Sequence, residues 1–360
     1  MPDKIKVVLF EDTAQTQSEL RVALTKYLQS DGEVVLFDPA HFKESEPDKQ
    51  RTYEARVESI LTKAPYQDAT LVVADQDLSK SPQFTGLSAN AVLGATMRLA
   101  IPTCSYARQP EVAYEWRGRW EEGHIVLSFS DGEDELARRA SLAAHGFAEI
   151  ANKLPEVLKD ARNNSASKIL AALLGKLEYS EKIALYSVGD QNRVAEIPSQ
   201  PKDTTPGERR MARFLGYWLW DSLLRYPGLL VNHIAAASHL NIETADFISD
   251  VQVLFSDALY DGPFADSKRP HWWRGIMDDI VSRENCSDGL ELAQKKMSSA
   301  IRRSQCCVEP SKPAGYYCII SEKPVSLENS KGGLSWFPRG ADLTRISNPR
   351  FEEYGPWLSA

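Results

Sequence analysis

The chain has 360 residues with a formal net charge of −8 and a pI near 5.4, and 26% of its residues are charged. That length exceeds one average domain, and the acidic balance excludes a broad phosphate-binding face built from clustered Lys and Arg. No apolar run approaches the length of a membrane-spanning helix, and five cysteines at 104, 286, 306, 307 and 318 show no pairing rhythm, which predicts reduced thiols in a cytoplasmic protein.

In chain order, "KVVLF" (6–10) is an apolar run that predicts a buried strand, closed by the adjacent acids Glu11 and Asp12. "AQTQSELRVALTKYL" follows with Leu20, Ala23, Leu24 and Leu28 at helical spacing, then "GEVVLF" (32–37) as a second strand and "YEARVESILT" as a helix. "ATLVVADQDLS" (69–79) gives a third strand, "LSANAVLGATMRLA" a helix, "IPTCSYA" (101–107) a fourth strand and "HIVLSF" (124–129) a fifth. A long helix over "EDELARRASLAAHGFAEIANKL" closes the block. Apolar strands alternating with helices predict a parallel sheet covered on both faces, and five such units fit a flavodoxin-like, doubly wound parallel five-stranded domain over residues 1–155.

Residues 156–208 read as a helical connector and a polar linker, with "EIPSQPKDTTPGE" (196–208) the best linker candidate. Residues 209–305 are mainly helical, and "AAASHLNIETADF" (235–247) carries the spacing of a helix-turn-helix, with Ala237, Leu240 and Ile242 as packing positions. A DNA reader would show basic or amide side chains on the second helix; this one shows Glu243, Asp246 and Asp250, which repel phosphate. The pair is therefore expected to be structural, or a surface for protein partners, rather than a reader of nucleic acid. Residues 306–360, rich in Gly, Pro and aromatics, predict short strands and loops packed on the helical domain.

Several constellations carry candidate chemistry. In an open parallel sheet, ligands bind beyond the carboxyl ends of the strands, which is where Glu11, Asp12 and Asp75 fall. Three carboxylates converging there would suit a hard divalent cation such as Mg²⁺; the same acids could instead cap the following helix, with Asp12 or Thr13 at its start. A second cluster, Trp272, Trp273, Arg274, Trp336, Arg339, Asp342 and Arg345, reads either as core filling or as an aromatic surface for a partner or anion. Cys306, Cys307 and Cys318 lack the CxxC spacing of a zinc site. No Ser-His-Asp, Cys-His or Gly-rich phosphate motif is visible, so no catalytic residue is assigned.

"VVLFED" and "DATLVVAD" resemble the receiver domains of two-component response regulators, over residues 4 to about 152. That resemblance implies Glu11 and Asp12 as Mg²⁺ ligands, Asp75 as phosphoacceptor and Ser105 as a contact to the phosphoryl group. Strand five reads "IVLSFSDGEDEL" and places Ser128 or Phe129 where receivers carry Lys, which implies a pseudo-receiver signalling through protein contact. "LSANAVLGATMRLAIP" is also similar to nucleoside deoxyribosyltransferase-like and TIR-like nucleotide-binding folds. That alternative implies a pocket of Asp75, Ser88, Asn90 and Gly94, although Val92 stands where the catalytic Glu of those enzymes would be.

Overall fold

The computed structural model describes residues 4–44, 52–78, 84, 87–107, 124–129, 132–160, 162–186, 204–298 and 300–358. They fall into two compact units. The first holds residues up to 173 together with 204–217; the second holds 174–186 and residues 218 onward.

The first unit is built on five parallel strands in the order β2-β1-β3-β4-β5, where β1 is Ile5–Phe10, β2 Gly32–Leu36, β3 Leu71–Asp75, β4 Thr103–Ala107 and β5 Ile125–Ser128. This is the flavodoxin-like order expected from the alternating pattern. The central strands are apolar on both faces because helices cover both: every residue of β3 is buried, and only Lys6 of β1 is not. On one face Val8, Phe10, Val72 and Ala74 pack with Val57, Ile60 and Leu61 of α3 (Tyr53–Leu61) and Val92 and Ala95 of α4 (Ala89–Arg98). Phe37 stacks on Phe10 at 4.2 Å and extends that core past the end of β2. The other face is left to α1 (Ala14–Leu28), whose Leu20, Leu24 and Leu28 recur every four residues and are buried, and to the long α5 (Gly132–Lys159). A short helix, α2 (Pro39–Glu44), sits in the connection between β2 and α3.

After α6 (Ala166–Leu173) and, in the second unit, α7 (Ser180–Ala184), the chain resumes at α8 (Thr204–Trp218). Its start lies inside the stretch read from sequence as linker; residues 196–203 lie outside the described residues. The helix belongs to the first unit through Tyr217, and the reason is packing. The Tyr217 hydroxyl accepts from the Thr103 backbone N–H at 2.7 Å, its ring meets Phe147 edge-on at 5.2 Å, and burial pushes its phenol up to about 12.

The second unit is helical with two small sheets. β6 (Leu230–Asn232) pairs antiparallel with β7 (His271–Trp273). The helix-turn-helix-like pair is α9 (His233–His239), capped by the Asn232 carboxamide oxygen, and α10 (Thr244–Ser249). A 3₁₀ segment (Val251–Ala258), α11 (Arg274–Arg283) and α12 (Gly289–Lys296) follow. The C-terminal stretch forms β8 (Tyr316–Cys318), β9 (Lys323–Val325), β10 (Ser330–Lys331) and β11 (Thr344–Ser347) in the order β10-β11-β8-β9. It then closes with α13 (Asn348–Leu358), a helix where sequence patterning suggested only strands and loops.

Candidate metal centre

The parallel strands put the ends of β1 and β3 at one edge of the sheet. Phe10 pairs with Ala74, so continuing the register sets Glu11 beside Asp75. Asp12 follows at once. The carboxylate oxygens of Glu11, Asp12 and Asp75 lie within 4.8 Å of one another, and this is the one cluster of potential metal ligands among the described residues.

Glu11 is 1% and Asp75 2% exposed, so two of the three carboxylates are withdrawn from water. Each is tied down locally. Glu11 Oε1 accepts the Thr13 backbone N–H at 2.7 Å, and Asp75 Oδ1 accepts the Asp77 N–H at 2.9 Å. The Thr13 hydroxyl donates to Asp12 Oδ1 at 3.3 Å. Glu11 therefore turns the chain out of the strand, and Thr13, the N-cap residue of α1, makes no side-chain capping bond. The capping role expected for Thr13 is not what that side chain does.

A fourth member was missed in the sequence. The Tyr106 hydroxyl, fully buried, donates to Glu11 Oε2, and the Tyr106 ring stacks on Phe129 with centroids 5.9 Å apart. Tyr106 pairs with Asp75 across β3 and β4, so both side chains project from the same face of the sheet. Period-two alternation along β4 sets Cys104 and Tyr106 on the face opposite Thr103 and Ser105, but only the β3–β4 register sets Tyr106 beside Asp75.

Ser105 goes the other way. It pairs with Ala74 and Val126, which sets its side chain on the face opposite Asp75, and its Oγ accepts from Gln76 Nε2 at 3.0 Å. It is not brought to the carboxylates. Nor does β5 supply a cation, since it ends in Ser128 and Phe129.

The donor set fits a hard divalent cation. All donors are carboxylate oxygens, the hard ligands that such a cation takes. Glu11 keeps a free lone pair on each oxygen. A cation there would also relieve the mutual repulsion of adjacent buried carboxylates. Glu11, Asp12 and Asp75 are the residues that would hold it, and it would supply charge neutralisation.

The members of the alternative nucleotide pocket, Asp75, Ser88, Asn90 and Gly94, lie at the end of β3 and on α4. Ser88 Oγ caps α4 by accepting the Ala91 N–H at 3.2 Å, and Asn90 is exposed. A Cβ on Gly94 would sit 2.8 Å from Glu54 Cδ, so this glycine permits close packing of α4 on α3 rather than on the sheet.

The aromatic cluster is core for its two central members. Trp272 is buried edge-on against Phe247 at 5.2 Å, and Trp273 is buried between Tyr179 and Tyr260. They are unavailable as a recognition surface because β7 lies inside the unit. Arg274 pairs with Asp342 at 2.7 Å, and Arg345 donates to Ser330 Oγ at 2.6 Å while lying over the Tyr316 ring. Trp336 packs edge-on against Phe337; Arg339 is exposed. The five cysteines are free, and Cys306, Cys307 and Cys318 form no metal-ligand group among the described residues.

No protein-family model matches the chain, and no curated protein matches it.

Proposed function

We propose that the first unit is a receiver-like regulatory domain of pseudo-receiver type, which holds a divalent cation between Glu11, Asp12 and Asp75 and signals through protein contact. The observation that carries this reading is the convergence of those three carboxylates at the carboxyl edge of the two central strands of a 2-1-3-4-5 sheet. Ligands of such sheets bind at that edge. Three departures favour cation binding over phosphoryl transfer. Ser105 faces away, β5 ends without Lys, and Tyr106 with Phe129 fills the flank where a phosphoryl group would need donors. The second unit, lacking a basic face on its helix-turn-helix-like pair, is read as the protein-contact half. Free thiols throughout agree with a reducing compartment such as the cytoplasm.

The test is thermal unfolding with and without millimolar Mg²⁺ or Mn²⁺, wild type beside Asp75→Asn and Glu11→Gln, with Mn²⁺ binding read directly by electron paramagnetic resonance. Binding to the folded state alone raises the Tm of wild type by mass action. Asp75→Asn should respond to neither cation, and its cation-free Tm should equal or exceed that of wild type because one repelling charge is gone. Equal responses in all three proteins would overturn the reading. Intact mass after acetyl phosphate and Mg²⁺ should show no added phosphoryl group; one that appears in wild type and not in Asp75→Asn would make the domain a working receiver instead. Adenine nucleotides, run in the same thermal assay, should give no shift.

A further inference from the structure

Between Arg225 and Lys268 the chain carries six carboxylates and no Lys or Arg. In the structure this stretch runs through the helix-turn-helix-like pair and the 3₁₀ segment that follows. Three of the acids are used internally or shielded: Asp246 binds the Arg302 guanidinium at 2.6 Å, Arg302 also acts on Glu243, and Asp266 accepts the Lys268 backbone N–H at 2.9 Å. Asp250, Asp257 and Asp261 are exposed and have no basic partner among the described residues.

The same segment exposes large apolar side chains. Val253 is 65% exposed, and Ile248 and Leu259 are 44% exposed each. Val253, Ser256 and Leu259 stay exposed along a segment that bends at Phe255, while Phe255 and Ala258 turn into the core. Exposed aliphatic groups cost free energy unless something covers them, and single ones are ordinary on a surface. Three of them interleaved along the chain with three carboxylates that have no cationic partner, in a segment without Lys or Arg, form a surface with a definite complement.

We infer that this face of the second unit docks a basic amphipathic helix of a partner protein, its aliphatic side meeting Ile248, Val253 and Leu259 and its Lys and Arg meeting Asp250, Asp257 and Asp261. The occupant is set by charge. A helix laid on this face must supply the cations that the face lacks, which excludes a nucleic acid outright and disfavours a second copy presenting the same acidic surface. The inference takes the protein-contact role proposed above for the second unit and names its partner's chemistry. It does not depend on the carboxylate cluster of the first unit, so the cation test and this one can fail separately.

The experiment uses the full chain and a fluorescein-labelled amphipathic Lys/Leu helix of about five turns, followed by anisotropy at low and at high salt. Wild type is expected to bind it in the micromolar range, weakening as salt rises. Val253→Ser with Leu259→Ser should lower affinity about tenfold or more, as removal of central apolar anchors does. Asp250→Asn, Asp257→Asn and Asp261→Asn together should weaken binding and flatten its salt dependence. All five positions are exposed, so the fold should survive, and unchanged circular dichroism and Tm check it. A Glu/Leu helix of the same pattern should not bind. The inference is overturned if both variants bind the Lys/Leu helix as tightly as wild type, if no binding is seen, or if labelled duplex DNA alone binds the wild-type chain. It is also overturned if wild type self-associates and the apolar variant does not, because a second copy is then the occupant.

Discussion

His271 is held neutral by its surroundings. Its Nε2–H donates to the Leu224 carbonyl at 2.9 Å, and desolvation, the largest cause, brings its pKa down from 6.5 to about 4; His233 is shifted the same way. Between those values the unfolded chain binds a proton that the folded one refuses. Stability is therefore complete above about pH 6.5 and falls as pH is lowered toward 4. Two and a half units correspond to roughly 3 kcal/mol, and because part of the residue still meets solvent we discount that to about 1–3 kcal/mol. Urea unfolding at pH 7 and pH 5 should show this loss in wild type and a visibly smaller one in His271→Gln; parallel slopes would contradict it. Residue-scale features such as this were the least legible in the sequence. His271 stands in "RPHWW" with nothing to distinguish a buried histidine from an exposed one, and Tyr106 gained its role only when the β3–β4 register set it beside Asp75.

At the scale of elements, two helical glycines look alike in sequence and behave differently. Both Gly94 and Gly216 admit a neighbour that a Cβ would touch, but the neighbours differ. At Gly94 the obstacle is the Glu54 carboxylate, half-exposed and paired with Arg98 at 2.7 Å, which can swing into water. At Gly216 it is the ring of buried Phe147, whose Cε1 would lie 2.1 Å from the new atom. Alanine gains about 1 kcal/mol of helix propensity at either site. Gly94→Ala should then be close to neutral, within about 1 kcal/mol, because an exposed ion pair is worth little. Gly216→Ala should destabilise by about 1–3 kcal/mol, since overpacking a core forces backbone or ring displacement. Chemical denaturation of the two variants decides it, and equal effects would refute the distinction. The elements themselves were legible wherever apolar period and length agreed, as in β1, β3, α1 and α5. They were not legible where a short strand abuts a helix: β6 and β7 are each three residues long and lead straight into α9 and α11, so their apolar residues merged with the helical pattern.

Over the whole molecule, five thiols are distributed through both units without a bridge. Stability should therefore not change on adding a reductant. Ellman's reagent should titrate five thiols in denaturant, while in the native protein Cys307, which is exposed, should react first and Cys286, partly buried, after it. Burial raises the Cys307 pKa, so its reaction should quicken steeply as pH rises above neutrality. Fast reaction of three or more thiols in the native state would contradict the burial of Cys104, Cys306 and Cys318. The fold class of the first unit could be read at this scale because alternation of strands and helices reports topology directly. The division of the chain could not, since α8 (Thr204–Trp218) enters the first unit through the tertiary contacts of Tyr217 and Gly216, which leave no mark on local composition.

The order of strands has a consequence for synthesis. β1 leaves the ribosome before either of its neighbours, β2 and β3, and Val7 waits for Leu71 before that ladder can form. The Tyr106–Glu11 hydrogen bond closes a separation of 95 residues. Pairings this far apart in sequence form late, after the entropy of the intervening loop has been overcome. Glu11 and Asp12 are thus made well before Asp75 but meet it only when β3 has been inserted, and Glu11 is locked by Tyr106 only when β4 has joined. For the proposed cation site this makes synthesis a clock: a chain stopped before Asp75 lacks part of the carboxylate set, and one stopped after Ala107 has all of it and Tyr106 as well.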